Sequence, residues 1–299
     1  MRQIVLLPAI CSLAVGALFF GVFTPEAMAR AAPPGAVAVA AAGAPLPDAS
    51  ALLHQVEANQ QALEKARELY TFRSLQTIRQ LDKSGKVKRT EMEEDEVFFV
   101  NGHRIEKVVS RDGKKLSPAE AQKEDAKVAK EVEKASKPGY VDPDRDDVTV
   151  SRLLQIIDFS NGRRIRLNGR DTIAYDFLGN PHAKTHGRNE EALKKVSGSV
   201  WIDEHDREVS RMDATLDSNY HIGFGLLANV AKGSTFVFSQ RLIHGEAWLP
   251  TAIEIHLQGK ALLLVGLRVD IGIQFDDYRK FEAQATQEPG ATVTTSPNP

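Results

Sequence analysis

His182 and His186 lie four residues apart, the separation at which two imidazoles on one helix face bind zinc. Pro181 and Gly187 flank them and, with the basic neighbours Lys184 and Arg188, mark a loop, where that spacing defines no shared face. Asp142, Asp144, Asp146 and Asp147 supply alternating carboxylates of the kind calcium prefers. The glycine and terminal glutamate of an EF-hand loop are missing, which leaves a solvated acidic turn. His205, between Glu204 and Asp206, falls at a hairpin tip where nothing would exclude water from a general base. Ser197-Gly198-Ser199 does not match a nucleophile elbow, nor Gly223-Phe224-Gly225 a phosphate loop. No nucleophile, base and orienting group can be nominated together, so a non-enzyme is expected, with no catalytic residue, no metal and no cofactor. Asp276, Asp277, Tyr278, Arg279 and Lys280 remain as a polar rim where the last strand exits, equally readable as a solvated strand end.

The background to these residues is an ordinary globular composition. The chain has 299 residues, 42% hydrophobic and 26% charged, with 38 basic against 40 acidic side chains. A formal net charge of -2 provides no basic face to neutralise phosphates, so nucleic acid is not an expected partner. Residues 1–29 read as a cleaved export signal: Arg2, an apolar run from Ile4 to Phe23, then the small-x-small pattern Ala27-Met28-Ala29. An uncleaved anchor is the alternative, since the run approaches the roughly 20 residues that span a bilayer. Cys11 lies inside that signal, so the mature chain is expected to carry no thiol and to depend on a hydrophobic core rather than disulfides. Residues 30–49, rich in Ala, Pro, Gly and Val, read as a disordered tether, residues 50–282 as the folded domain, and 283–299 as a disordered tail. The expected location is the periplasm or cell envelope.

The folded part opens with a helix from Ala51 to Leu69, capped by Asp48 or Ser50. Three strands follow as a meander, Tyr70 to Ile78, Val87 to Val100 and His103 to Arg111, with a hairpin signal at Asn101-Gly102. Ser117-Pro118-Ala119-Glu120 starts a charged helix that continues to Ser136; its thin apolar stripe fits either a solvated flap or a plain connection. A short helix, Val150 to Asp158, precedes a nearly all-β remainder. Its expected strands are Arg163 to Leu167, Asp171 to Leu178, Val196 to Asp203, Glu208 to Leu216, Ile222 to Asn229, Ser234 to Ile243, Trp248 to Leu257 and Ala261 to Tyr278. Gln258-Gly259 is expected to turn the chain between the last two.

In that last strand Ala261, Leu263, Val265, Leu267, Val269, Ile271, Ile273 and Phe275 take every alternate position, with Arg268, Asp270, Gln274 and Asp276 between them. A strand so long must bend to stay compact, and Gly266 and Gly272 on its polar face would allow it. The fold class expected is α+β: a strongly curved antiparallel β-sheet, an incomplete barrel, with helices covering the concave face. Few amphipathic helices are available, so the hollow is either left partly vacant for an apolar ligand or filled by the protein's own side chains. The expected ligand-binding wall consists of Phe236, Phe238, Ile253, Ile255, Leu263, Val265, Leu267, Val269, Ile271 and Ile273.

Two local signatures carry a family likeness. One is Val200-Trp201-Ile202-Asp203 with Arg207-Glu208-Val209 after a turn. The other is Ala247-Trp248-Leu249-Pro250-Thr251, followed by the long strand ending Phe275-Asp276-Asp277-Tyr278-Arg279-Lys280-Phe281. With the order of elements over residues 50 to 281, the chain resembles the superfamily of periplasmic lipoprotein carriers and sensors that includes LolA, LolB and the mycobacterial lipid-binding lipoproteins. The resemblance implies a half-barrel lidded by helices that receives acyl chains or hydrophobic peptide segments. The function expected is an exported, non-catalytic envelope protein binding or carrying a lipid or lipid-modified protein. The alternative is a periplasmic protein-interaction or sensor domain with a filled core. Partners would be a lipid or acylated protein, or another envelope protein, and the chain is expected to be a monomer.

Overall fold

The computed structural model describes residues 38–39, 45–140, 149–222, 228–261 and 265–280, without the side chains at 38–39, 188–189, 222, 261 and 265. One antiparallel sheet dominates it. In spatial order its strands are β1 (Ala38–Val39), β6 (Ile157–Leu167), β7 (Arg170–Gly179), β8 (Val196–Asp203), β9 (Val209–Leu216), β12 (Thr235–Ile243), β13 (Ala247–Ala261) and β14 (Val265–Lys280). Then come β2 (Tyr70–Leu81), β3 (Val87–Val100), β4 (His103–Arg111) and β5 (Lys114–Lys115). A small hairpin of β10 (Tyr220–Ile222) and β11 (Ala228–Val230) joins through β11 to the far end of β13. The sheet is curved and open, with β1 and β5 at its two edges, and the fold is α+β as the residue pattern predicts. The last strand pairs with the first long one, β14 with β2, so both ends of the domain meet mid-sheet.

Local chemistry sets the element boundaries. Helix α1 (Ala49–Ala66) starts where the Asp48 carboxylate accepts the Ala51 amide at 2.8 Å, and a 3₁₀ turn, Arg67–Leu69, delivers the chain into β2. Helix α2 (Pro118–Ala135) begins with a full capping box: the Ser117 hydroxyl accepts the Glu120 amide, and the Glu120 carboxylate accepts the Ser117 amide. Asn101-Gly102 turns β3 into β4 with both residues at positive φ.

Five features differ from the sequence expectation. Helix α3 (Val150–Leu154) ends before the expected Asp158, and β6 begins at Ile157. That strand thus starts ahead of the expected Arg163, with a bulge at Asn161-Gly162, and Gly162 is required there because a Cβ would press on the Tyr175 ring. The segment expected as one strand, Ile222 to Asn229, instead contributes to two strands that pair with each other, His221 opposite Asn229. Gly259 does not turn the chain. It continues β13 to Ala261, and its missing side chain lets the Asn229 carbonyl of β11 approach the strand. Finally, α4 (Gly187–Leu193) occupies a stretch read as loop.

The core lies on the concave face. Leu52, Val56 and Leu63 of α1 and Val150, Leu153 and Leu154 of α3 (Val150–Leu154) form one buried cluster with residues from β2, β3, β7–β9 and β12–β14. At Gly198 in β8 an added methyl would overlap the Asp213 carbonyl of β9 and meet the Phe177 ring. Gly198→Ala is therefore expected to destabilise the protein by about 1–3 kcal/mol, the usual cost of overpacking, read from the urea midpoint; an unchanged midpoint would contradict this strand packing.

Candidate functional site

Strand register brings most of the expected wall together. Ile253 lies opposite Ile273, Ile255 opposite Ile271 and Leu257 opposite Val269, while Phe236 and Phe238 stand opposite Ile255 and Ile253 on the other side. The convex face takes the alternate residues, as the cross-strand His256–Asp270 contact at 2.8 Å illustrates. Phe238, Ile253, Ile255, Leu267, Val269, Ile271 and Ile273 are buried in the cluster that includes α1 and α3, and Phe236 is half-buried. Exposures of 0% for Ile253, 2% for Ile271 and 1% for Ile273 mean that a ligand reaching them must displace what now covers them. Val265 is described in its backbone only, paired with Ala261, and Leu263 lies outside the described residues.

Beyond β14 the face becomes a mixed lane, with Ile78, Phe72 and Val97 among polar residues. In register across β2 and β3, Ile273 gives way to Gln76 and Glu93, and Phe275 to Ser74 and Asp95. Asp95 is only 4% exposed, and burial, reinforced by Glu106 and Glu93, raises its carboxyl from the ordinary 3.8 to about 8 against the opposing pull of Arg104 and Lys127. Helix α2 is fastened beside this lane. Its buried Glu124 accepts the Val108 amide at 3.2 Å and pairs with Lys127 at 3.0 Å, Lys107 pairs with Asp125 at 2.7 Å, and the Asn101 amide donates to the Ala135 carbonyl at 3.2 Å. The charged helix is thus docked on β4 rather than hung in solvent.

One end of the apolar row opens into a cleft of about 550 Å³. Its aromatic floor is Phe275 and Tyr278, and Leu242 and Ile243 form an apolar side. Both aromatics contact Phe72, at centroid distances of 6.0 and 5.0 Å, and the Tyr278 hydroxyl donates to the Pro250 carbonyl at 2.8 Å. Burial pushes that phenol far above its usual range. Arg241, His244, Asp276 and Asp277 supply the polar lining. A register shift between Asp276 and Arg279, with Asp277 at φ 50°, places Asp276, Asp277 and Tyr278 together here. Arg279 pairs with Asp277 at 2.6 Å, and Lys280 with Glu246 at 2.9 Å. Of this site the sequence pattern indicated Asp276 to Tyr278; Arg241 to His244 escaped it, since nothing local indicates that the end of β12 lies near the end of β14.

The two sequence signatures meet at the same end of the sheet. The Trp248 indole donates to Asp206 at 2.9 Å, and Arg170 pairs with Asp206 at 2.6 Å while its guanidinium sits 5.5 Å from the Trp248 ring. Arg170 also binds the buried Asp203. Asn59 of α1 donates to the carbonyls of Asp206 and Arg207 at 3.1 and 3.2 Å, and Gln60 donates to Glu208, whose carboxyl burial raises to about 7. This polar junction fastens α1 to the β8–β9 hairpin. His205 at its tip is exposed.

His182 and His186 share no ligand. The His182 amide donates to the Asn180 side chain at 2.8 Å, whereas the His186 amide donates to Glu190 at 2.5 Å, next to Arg152. Among the described residues no group of three or more His, Cys, Asp or Glu could hold a metal, and no helix is long and apolar enough to cross a membrane. Asp142 to Asp147 and Gly223 to Gly225 lie outside the described residues.

No family model matches the chain, and no curated protein matches it. Among solved structures, a DUF1329 family protein from Desulfovibrio piger ATCC 29098 aligns over 81% of this chain and 100% of its own, at 11% identity and a TM-score of 0.34. MucB, solved in complex with MucA(peri), aligns over 79% of this chain and 100% of its own, at 12% identity and a TM-score of 0.21. Overlaps this loose assign the chain to no family.

Asp95 sets a pH test of the polar lane. Its folded-state affinity for a proton is raised, so the unfolded chain releases that proton first and stability falls as pH climbs from about 4 to about 8, then levels off. Asp95→Asn removes the cost. In urea unfolding the variant is expected to gain stability over the parent near pH 9 and to lose most of that advantage near pH 5. A difference that does not change with pH would contradict the burial of Asp95.

Proposed function

We propose that the chain is an exported, non-catalytic envelope protein that binds a lipid, or the acyl chain of a lipid-modified protein, in the hollow of its curved sheet. Residues 1–29 would serve as the signal, and 30–49 as a tether that also adds the short edge strand β1 (Ala38–Val39) to the sheet. The observation that supports this reading is continuity: the apolar row of β13 and β14 runs without a charge from Leu267 to Phe275, and Phe275 is also the floor of the cleft. A volume of about 550 Å³ lies within the range of small-molecule sites. An alkyl chain entering there meets Phe275, Tyr278 and Leu242 first. It would then reach the expected wall, Phe236, Phe238, Ile253, Ile255 and Leu263 to Ile273, as α1 lifts from the sheet. Each methylene buried contributes about 0.8 kcal/mol.

A second reading, a protein-interaction or sensor domain with a filled core, is favoured by the near-zero exposure of Ile253, Ile271 and Ile273. Native mass spectrometry of the purified mature protein separates the two. The carrier reading expects adducts of lipid mass in the parent and their loss in Leu242→Trp, a substitution at a half-buried position that narrows the cleft without opening the core. A parent that stays free of adduct after incubation with lipid vesicles would support the filled domain and overturn the carrier.

A further inference from the structure

The cleft carries an unmatched pair of charges. Asp277 is held by Arg279 at 2.6 Å and approached by Arg73 at 3.8 Å, and Lys280 is held by Glu246 at 2.9 Å. Lys280 holds the Glu246 carboxyl below its usual range, with a lesser contribution from His244. That leaves Arg241 and Asp276, which line the same cleft. Among the described residues neither side chain takes part in a hydrogen bond or an ion pair, with each other or with any neighbour. One cation and one anion that make no hydrogen bond or ion pair, with only Arg73 acting on Asp276 at longer range, therefore face a space whose floor is aromatic and aliphatic.

We infer that this cleft reads a zwitterionic headgroup, a phosphate diester bearing a primary ammonium, with Arg241 taking the phosphate and Asp276 the ammonium. The inference rests on the lipid-binding reading above and names the class of lipid. A guanidinium matches two phosphate oxygens at once, a geometry that a carboxylic ester lacks the charge to exploit. The ammonium fits Asp276 for a separate reason. Burial first, then Asp277 and Glu94, raises that carboxyl above its ordinary value against the pull of Arg73 opposite it, and an incoming cation would offset that cost. A phosphoglycerol head would satisfy Arg241 but bring no cation to Asp276, and an uncharged diacylglycerol would give neither Arg241 nor Asp276 a hydrogen-bonded counter-charge.

The test uses the mature full chain and isothermal titration calorimetry with lipids that share the same two short acyl chains: phosphatidylethanolamine, phosphatidylglycerol and diacylglycerol, with free phosphoethanolamine as the chainless arm. The expected result is a preference for phosphatidylethanolamine of about tenfold over the other two lipids, equivalent to roughly 1.4 kcal/mol. Arg241→Gln and Asp276→Asn should each reduce that preference to within about twofold while diacylglycerol binding holds, as loss of a charge-assisted contact requires. Equal binding of the three lipids by the parent would overturn the headgroup inference and leave the apolar hollow standing. Binding of no lipid at all would overturn the lipid reading itself. Free phosphoethanolamine binding as tightly as the lipid would show a site for a soluble ligand and overturn the lipid assignment.

Discussion

The fold depends on one constraint: a β14 ladder with an apolar row on one face must keep that row out of water while its other face stays wet. Burying such side chains is worth about 1.5–3 kcal/mol each. The sheet meets the constraint by curving, so that Ile253, Ile255, Ile271 and Ile273 look across a shared interior at the same helices, α1 and α3. The remaining features arrange this cover. Asn59 and Gln60 tie α1 to the β8–β9 hairpin, the capping of α1 and α3 fixes where they start, and β11 extends the sheet along the end of β13.

The interior is divided by chemistry rather than by shape. Across β12, β13 and β14 it is aliphatic. From β2 to β4 the same face mixes the buried Phe72 and Val97 with Gln76, Glu93, Asp95, Arg104 and Glu106, and α2 is fastened alongside through Glu124. Buried like charges of this kind are costly, and a raised carboxyl at Asp95 is how the structure tolerates them. An acyl chain and a polar group would therefore prefer different lanes of one concavity, with the cleft at Phe275 lying near their boundary.

Much of this arrangement could be read from residue order. The alternation from Leu267 to Phe275 gives the inward face, Asn101-Gly102 gives a hairpin, and Ser117 with Glu120 gives a helix start, because each is a local rule with a local cause. The failures have equally definite causes. Gly259 looks like a turn residue, but its lack of a side chain serves a strand from elsewhere in the chain. The strand expected from Arg163 begins at Ile157, because the ladder passes Asn161-Gly162 by a bulge. From Glu91 to Glu96 acids occupy both parities, so alternation carries no signal about which face is buried. The cleft depends on Arg241 and Asp276 coming together across strands, a relation that no spacing in the sequence encodes.

The central claim is that an apolar chain can occupy the concave row. Isotope-labelled isoleucine methyls offer the most direct measurement, through nuclear Overhauser contacts between the protein and a bound acyl ligand. The account predicts contacts from the acyl methylenes to Ile271 and Ile273, with Phe275 at the entrance. Saturating ligand that leaves these methyls unaltered, or that contacts convex-face positions alone, would contradict it.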